Sequence, residues 1–330
     1  MAKLNLSIAI GDYDRVRPLV DGTVSIDGVS PVFLTLEPEE IFFRAFRHTA
    51  FDIAELSLGS FCVKSAQGDN PYVGVPVFPS RAFRHSGVYI RKDRGINSPA
   101  DLKGRKIGIA EYQVTANIWI RAFLEDDFGV SAESIDWVRG GVEETGRPEK
   151  ITIKLPPGVR MSEAPAGQSL SMLLLAGEID ALIGPRTPSV MNAANSHIGW
   201  LFDDPRQAAI ASYRKSGNFP IMHILGVRRS LVEQNPWLPG TLYKAFSHAK
   251  SVALAKLADT SASKVMLPFV DQQLHDAREL MGRDFWPYGI EENRACLEYF
   301  LRQHHKQGMS DRLLTVEDLF HPSTFEVPRI

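Results

Sequence analysis

The segment Arg81-Ala-Phe-Arg84-His85-Ser86 sets two guanidinium groups and an imidazole directly behind the apolar run Val73 to Phe78. A guanidinium grips a carboxylate through two parallel N–H···O bonds, so this cluster at a strand end is a candidate anion site. A solvated basic loop is the plainer alternative. Asp12, Asp14, Arg15 and Arg17 follow a second strand-like stretch, Leu4 to Ile10; Asp14 with Arg15 reads either as ligand contacts or as a structural ion pair. Glu55-Leu-Ser57 ends another short strand, which makes the Ser57 hydroxyl a credible donor to a ligand. Glu111-Tyr-Gln-Val-Thr115 joins a strand to a helix start, where free N–H groups favour a carboxylate and Thr115 is either a cap or a ligand donor. Arg186, in Gly184-Pro-Arg-Thr-Pro188, is the basic contact expected from the same side. His223 alternates with Phe219, Ile221 and Leu225, as either a satisfied core histidine or one aimed into a cleft. In open α/β sheets ligands bind beyond the carboxyl ends of the strands. The chemistry these residues suggest is capture of a small anion, with a histidine at hand for proton transfer.

Other chemistries are not written in the chain. No HExxH, CxxC or clustered ligand spacing occurs, and the adjacent pair His304-His305 cannot share one helix face, so no metal is expected. There is no GxGxxG, no P-loop and no Ser-His-Asp pattern, and no cofactor is expected. Cys62 and Cys296 share no motif and read as free buried thiols. A net charge of −2 gives no reason to expect nucleic acid, and no stretch reaches the roughly 20 apolar residues of a membrane span. Leu4, Leu6, Ile8 and Ile10 alternate with Asn5, Ser7 and Ala9, a strand pattern where a secretory signal would need an unbroken apolar run, so a cytoplasmic protein is expected.

The elements that must position these side chains alternate between strand and helix, which implies an α/β fold with mostly parallel sheets. At 330 residues the chain fits two domains. Ser98-Pro-Ala-Asp101 is a helix-start signal, and Lys106 to Ala110, a helix carrying Ile118, Trp119, Ala122 and Phe123, and Ile135 to Val138 form a βαβ unit. Leu170 to Ala176 reads as a helix stopped by Gly177, and Phe219 to Val227 as the strand returning to the first lobe. Helices are expected over Leu242 to Leu257, Ser261 to Val270 and Glu291 to Gln307, with a last capping box at Thr315-Val-Glu-Asp318. Lobe one is therefore expected to be residues 1–92 plus 225–330, and lobe two residues 93–224.

Ser98-Pro-Ala-Asp-Leu-Lys-Gly-Arg-Lys-Ile-Gly-Ile-Ala110 and Gly177-Glu-Ile-Asp-Ala-Leu-Ile-Gly184 resemble the second lobe of type II periplasmic binding proteins. Within that superfamily the chain is similar to the 4,5-dihydroxyphthalate decarboxylases. The similarity lies in Gly11-Asp-Tyr-Asp-Arg15, Glu55-Leu-Ser57, Phe78-Pro-Ser-Arg-Ala-Phe-Arg-His-Ser86, Phe219-Pro-Ile-Met-His223 and Asp284-Phe-Trp-Pro-Tyr-Gly289. The resemblance implies a two-lobed fold with a ligand cleft between the lobes, and cofactor-free loss of carbon dioxide from a hydroxylated aromatic carboxylate. It would give arginines the spectator carboxylate, His85 or His223 the role of proton donor, and Asp14 or Glu111 that of acceptor for a phenolic proton. Trp286 or Phe83 would supply an apolar face for the departing group. Arginine on that group would instead stabilise the ground state, and only interactions stronger in the transition state accelerate a reaction.

Two further readings compete. A non-catalytic solute-binding protein would use the same cleft only to capture an anionic or aromatic carboxylate. A thiamine-pyrimidine synthesis relative would need a cysteine-rich motif that this chain lacks. A homo-oligomer is expected from the size of the chain alone.

Overall fold

The computed structural model describes residues 3–193 and 196–325. Its strands are β1 (Leu4–Ile10), β2 (Val29–Thr35), β3 (Ile53–Ser57), β4 (Tyr72–Val75), β5 (Val88–Arg91), β6 (Lys106–Ile109), β7 (Asp136–Arg139), β8 (Arg160–Glu163), β9 (Ala181–Ile183), β10 (Ile198–Trp200) and β11 (His223–Arg228). Its helices are α1 (Arg17–Val20), α2 (Pro38–His48), α3 (Leu58–Gln67), α4 (Thr115–Phe128), α5 (Leu170–Ala176), α6 (Pro205–Ser216), α7 (Arg229–Gln234), α8 (Leu238–Leu257), α9 (Val270–Met281) and α10 (Arg294–Lys306).

Two sheets make two lobes. The first has the order β2-β1-β3-β11-β4, the second β10-β5-β9-β6-β7-β8. β1 runs parallel to β2 and β3, while β11 returns antiparallel to β3, with His223 registered on Ser57 and Leu225 on Glu55. The sheets divide the chain slightly earlier than the sequence suggests at both crossings. β5 already belongs to the second sheet, and β11 rejoins the first at His223, because the crossing segments pair with each other beforehand through an Arg81–Ile221 bridge.

The lobes meet along α4. Every residue from Thr115 to Leu124 is buried, although the helix is the crossover of lobe two's βαβ unit. Trp119 donates its indole N–H to the Ile221 carbonyl at 3.0 Å and stacks on Tyr299 of α10 at 5.5 Å. Arg121 bonds Gln307 at 2.8 Å. Burying side chains such as Ile118, Trp119 and Leu124 contributes about 1.5–3 kcal/mol each, so this helix is a strong seal between the lobes.

Several expectations are corrected. Ser261 to Val270 is irregular, and α9 starts only at Val270, since Pro268 disfavours helix at Leu267 and the stretch buries almost nothing. The Thr315–Asp318 box forms, with Thr315 N–H on the Asp318 carboxylate at 2.8 Å, but it closes a turn, and among the described residues only a short 3-10 helix, Pro322–Thr324, follows. The Ser98–Asp101 box opens a short 3-10 helix, Pro99–Leu102. No helix among the described residues is long and apolar enough to cross a membrane.

Candidate active site

The carboxyl ends of β1 and β3 and the start of β11 converge on one point. Glu55 sits in β3 among apolar neighbours and is fully buried. Its Oε2 accepts the Gly11 N–H at 2.9 Å, and its Oε1 accepts the Tyr13 hydroxyl at 2.9 Å. His223 Nδ1 lies 2.5 Å from Oε1. The loop can close in this way because Gly11 lacks a side chain: a Cβ there would stand 2.5 Å from the Tyr13 ring. Phe42 of α2 meets the His223 ring edge-on with centroids 4.8 Å apart. His223 Nε2 has no hydrogen-bond partner among the described residues and is the ring's open nitrogen.

Burial alone would raise the Glu55 pKa; the charge of His223 and the donors from His223, Gly11 and Tyr13 outweigh it and hold the carboxyl below its usual range. Burial, reinforced by Glu55, pushes the Tyr13 phenol far above the ordinary tyrosine value. Tyr13 is therefore a donor and not a base.

Arg15 continues the wall. Its guanidinium lies 4.2 Å over the Tyr13 ring and 4.5 Å over Trp286, and it donates to the Pro79 carbonyl and to Asp14. Trp286 is fixed by its indole N–H on the Phe78 carbonyl at 2.9 Å. Ser57, registered on His223, bonds Thr115 Oγ1 at 2.9 Å, and the same oxygen accepts the Gly59 N–H at 2.9 Å. Thr115 is thus a strut between lobes. Val114 holds the N-cap position, so the plain cap reading of Thr115 does not hold.

The arginine–histidine cluster divides. Arg84 places its Nε 3.2 Å from the Met222 sulfur, next to His223 in the chain, and has no carboxylate partner among the described residues. Burial pushes its pKa down to about 10, which leaves it cationic at neutral pH. Arg81 is spent on structure: its guanidinium donates to the Phe219 and Pro287 carbonyls at 2.9 and 2.8 Å and to Asn293. His85 stacks on Phe123 at 4.5 Å and meets Phe202 edge-on at 5.4 Å. Burial lowers its pKa to about 4, and on the α4 and α6 side it lines one pocket together with Phe83 and Arg84. Phe83 stacks on Phe219 and meets Tyr213 edge-on.

Glu111 also turns inward. Its Oε1 takes Arg147 at 2.7 Å and Lys150 at 2.9 Å, and its Oε2 takes Gln113 at 2.8 Å. Arg147 and Lys150 both reach across to Glu39 of α2, so four charges lock the lobes together. Fully buried and fully bonded, Glu111 is not placed to accept a substrate proton. Asp14 is exposed and paired with Arg15, and Arg186 is an exposed partner of Glu37 at 3.3 Å.

The structure therefore brings together His223, Ser57, Thr115, Arg15 and Trp286 on one wall, with Arg84 against Met222, and disperses His85, Arg81, Glu111, Asp14 and Arg186. Glu55 and Tyr13 went unread in the sequence. The one signal for Glu55 was a carboxylate inside a strand otherwise fit for burial.

A family described as NMT1/THI5 like matches residues 82–148. The chain is 59% identical over 326 residues to a 4,5-dihydroxyphthalate decarboxylase of Comamonas testosteroni, covering 99% of each chain. It is 59% identical over 214 residues to another of that name from Pseudomonas putida, covering 65% of this chain and 83% of the relative. Among solved structures, the periplasmic aliphatic sulphonate binding protein SsuA of Escherichia coli superposes with a TM-score of 0.55 at 13% identity, covering 97% of this chain and 92% of that one. The alkanesulfonate-binding SsuA of Xanthomonas axonopodis pv. citri gives 0.54 at 11% identity, with 97% and 99% coverage. At those identities the superpositions establish the two-lobed periplasmic-binding-protein fold and nothing finer.

Proposed function

This chain belongs to the 4,5-dihydroxyphthalate decarboxylase family, and we propose that it converts 4,5-dihydroxyphthalate to 3,4-dihydroxybenzoate and carbon dioxide at the His223 end of the cleft. The observation that carries this site assignment is the oriented imidazole of His223, held through Nδ1 on Glu55 with Nε2 open among the described residues; Arg84, a cation with no carboxylate partner among them, is assigned to the spectator carboxylate.

The diacid is symmetric, so the site alone decides which carboxylate leaves. Arg84 holds the spectator carboxylate in a charge-assisted fork. The departing carboxylate lies toward Phe42 and away from guanidinium, so the ground state is not favoured over the transition state. His223 donates its Nε2 proton to the ring carbon that bears the departing group, and the hydroxyl para to that carbon stabilises the resulting cation. The carbon–carboxylate bond then breaks, its electron pair restores the aromatic ring, and carbon dioxide is released. The hydroxyl keeps its proton throughout, so neither Asp14 nor Glu111 is needed as a base. One proton is consumed per turnover, and solvent returns it to His223.

Purified protein mixed with 4,5-dihydroxyphthalate, with gas release and chromatography of the product followed together, tests the reading. Stoichiometric carbon dioxide and 3,4-dihydroxybenzoate are expected. Thermal stabilisation by the diacid without turnover would contradict the assignment of catalysis.

A further inference from the structure

A carboxylate inside a strand is costly unless it is fully hydrogen-bonded. Glu55 meets that condition through three donors from three parts of the chain: the Gly11 N–H, the Tyr13 hydroxyl and His223 Nδ1. With Tyr13 unable to ionise and Glu55 held as a carboxylate, one arrangement of protons satisfies the set. Tyr13 and Nδ1–H both donate to Glu55, and Nε2 becomes the only ring atom free to exchange a proton with a ligand.

The other groups around the ring do not supply this control. Phe42 on α2 is uncharged. Arg15 lies behind the Tyr13 ring, and Glu37 acts on Tyr13 from a distance. Arg84 lies against the Met222 sulfur and makes no hydrogen bond to the ring. Glu55 is the one carboxylate bonded to His223 among the described residues.

Resting on the reading of His223 as proton donor, we propose that Glu55, held in place by Gly11 and Tyr13, is the positioning residue that fixes His223 through Nδ1–H and aims its Nε2–H at the substrate ring. Glu55 itself takes no proton. After each turnover the neutral ring stays on Glu55 through Nδ1–H, and Nε2 is recharged from solvent. An Asp–His pair in hydrolases orients a base in the same physical way; here the pair would present an acid.

The test is an NMR titration of the His223 ring in free wild-type protein and in Glu55→Gln, Glu55→Asp and Tyr13→Phe, alongside kcat against pH. In Glu55→Gln the ring should titrate at least about one pH unit lower, because the charge that favours imidazolium is gone. The alkaline limb of kcat should move with it, kcat should fall about 10²-fold or more, and KM should change only a few-fold. Glu55→Asp should recover part of both effects. Tyr13→Phe, which keeps the ring under Arg15, should shift the titration in the same direction by less. A His223 titration that stays put in Glu55→Gln and Tyr13→Phe overturns the proposal. A titration that moves while the kcat profile does not also overturns it, and traces the failure to His223 as donor rather than to its pairing with Glu55.

Discussion

His223 Nδ1 stands 2.5 Å from Oε1 of Glu55, although the two residues are 168 positions apart in the chain. The contact exists because β11 returns beside β3 with Leu225 opposite Glu55, so that Glu55 and His223 share one face of the sheet near its cleft edge. One residue before His223, Met222 supports the Arg84 guanidinium. The proton donor is therefore set by the register of β11 on β3, and its consequences and those of Arg84 can be measured separately.

Arg84→Met removes the spectator-carboxylate fork. A charge-assisted pair of this kind is worth roughly 1.5–3 kcal/mol, so KM should rise about 10- to 150-fold. Arg81→Met should behave differently. It unties Phe219, Pro287 and Asn293, so the melting temperature should fall while KM of the remaining folded enzyme stays near wild type. Steady-state kinetics with thermal melts on both variants check the contrast.

His85 should be dispensable for catalysis, and His85→Leu should keep kcat within a few-fold of wild type. His85 and the buried His304 both have pKa values lowered to about 4 by burial. Both lie below the unfolded value of about 6.5, so the unfolded chain binds more protons in that window. Stability should climb with pH from about 4 to about 6.5 and be complete above it. Melts across pH 4–8 should show this acid slope, and a double His85→Leu, His304→Leu variant should flatten it.

Glu39 closes the four-charge lock. Burial works against its ionisation, but Lys150 and Arg147 overcome this and hold its pKa down at about 2. Its contribution is therefore present above the ordinary carboxylate range and lost only as pH falls toward 2. Glu39→Gln leaves two cations facing Glu111 alone and should open the lobes. The expected signs are a larger radius of gyration in solution scattering and a KM raised several-fold at unchanged pH optimum.

Thr115→Val removes the hydroxyl that bonds both Ser57 and the Gly59 N–H across the lobe junction. A Cβ at position 59 would stand 2.6 Å from the Gln113 carbonyl, so the lobes touch too closely here for water to replace the lost bond. The variant should lose about 1–3 kcal/mol of stability, read from denaturant midpoints at constant m.

The two-lobed fold was legible because the βαβ unit from Lys106 to Val138 and the helix stop at Gly177 announce themselves locally; Gly177 does end α5 at φ 76°. The anion cluster was legible as a composition, but its division of labour was not. Extended backbone sends alternate side chains to opposite faces, so Arg81 and Arg84, three residues apart, turn to different partners, and a 3-10 turn carries His85 elsewhere. Glu111 looked free to accept a phenolic proton, since nothing near it shows that Arg147 and Lys150 fold back from 36 and 39 residues downstream. The Glu55–His223 contact depends on strand register, which periodicity alone does not fix.

The central claim is that His223 delivers the proton that releases carbon dioxide. Its most direct test is the single-turnover rate of His223→Ala on 4,5-dihydroxyphthalate, with and without added imidazole. We expect a loss of about 10²- to 10⁴-fold that imidazole partly restores, while His85→Ala in the same assay stays near wild type. A His223→Ala rate within a few-fold of wild type, or activity lost with His85 instead, would contradict the account.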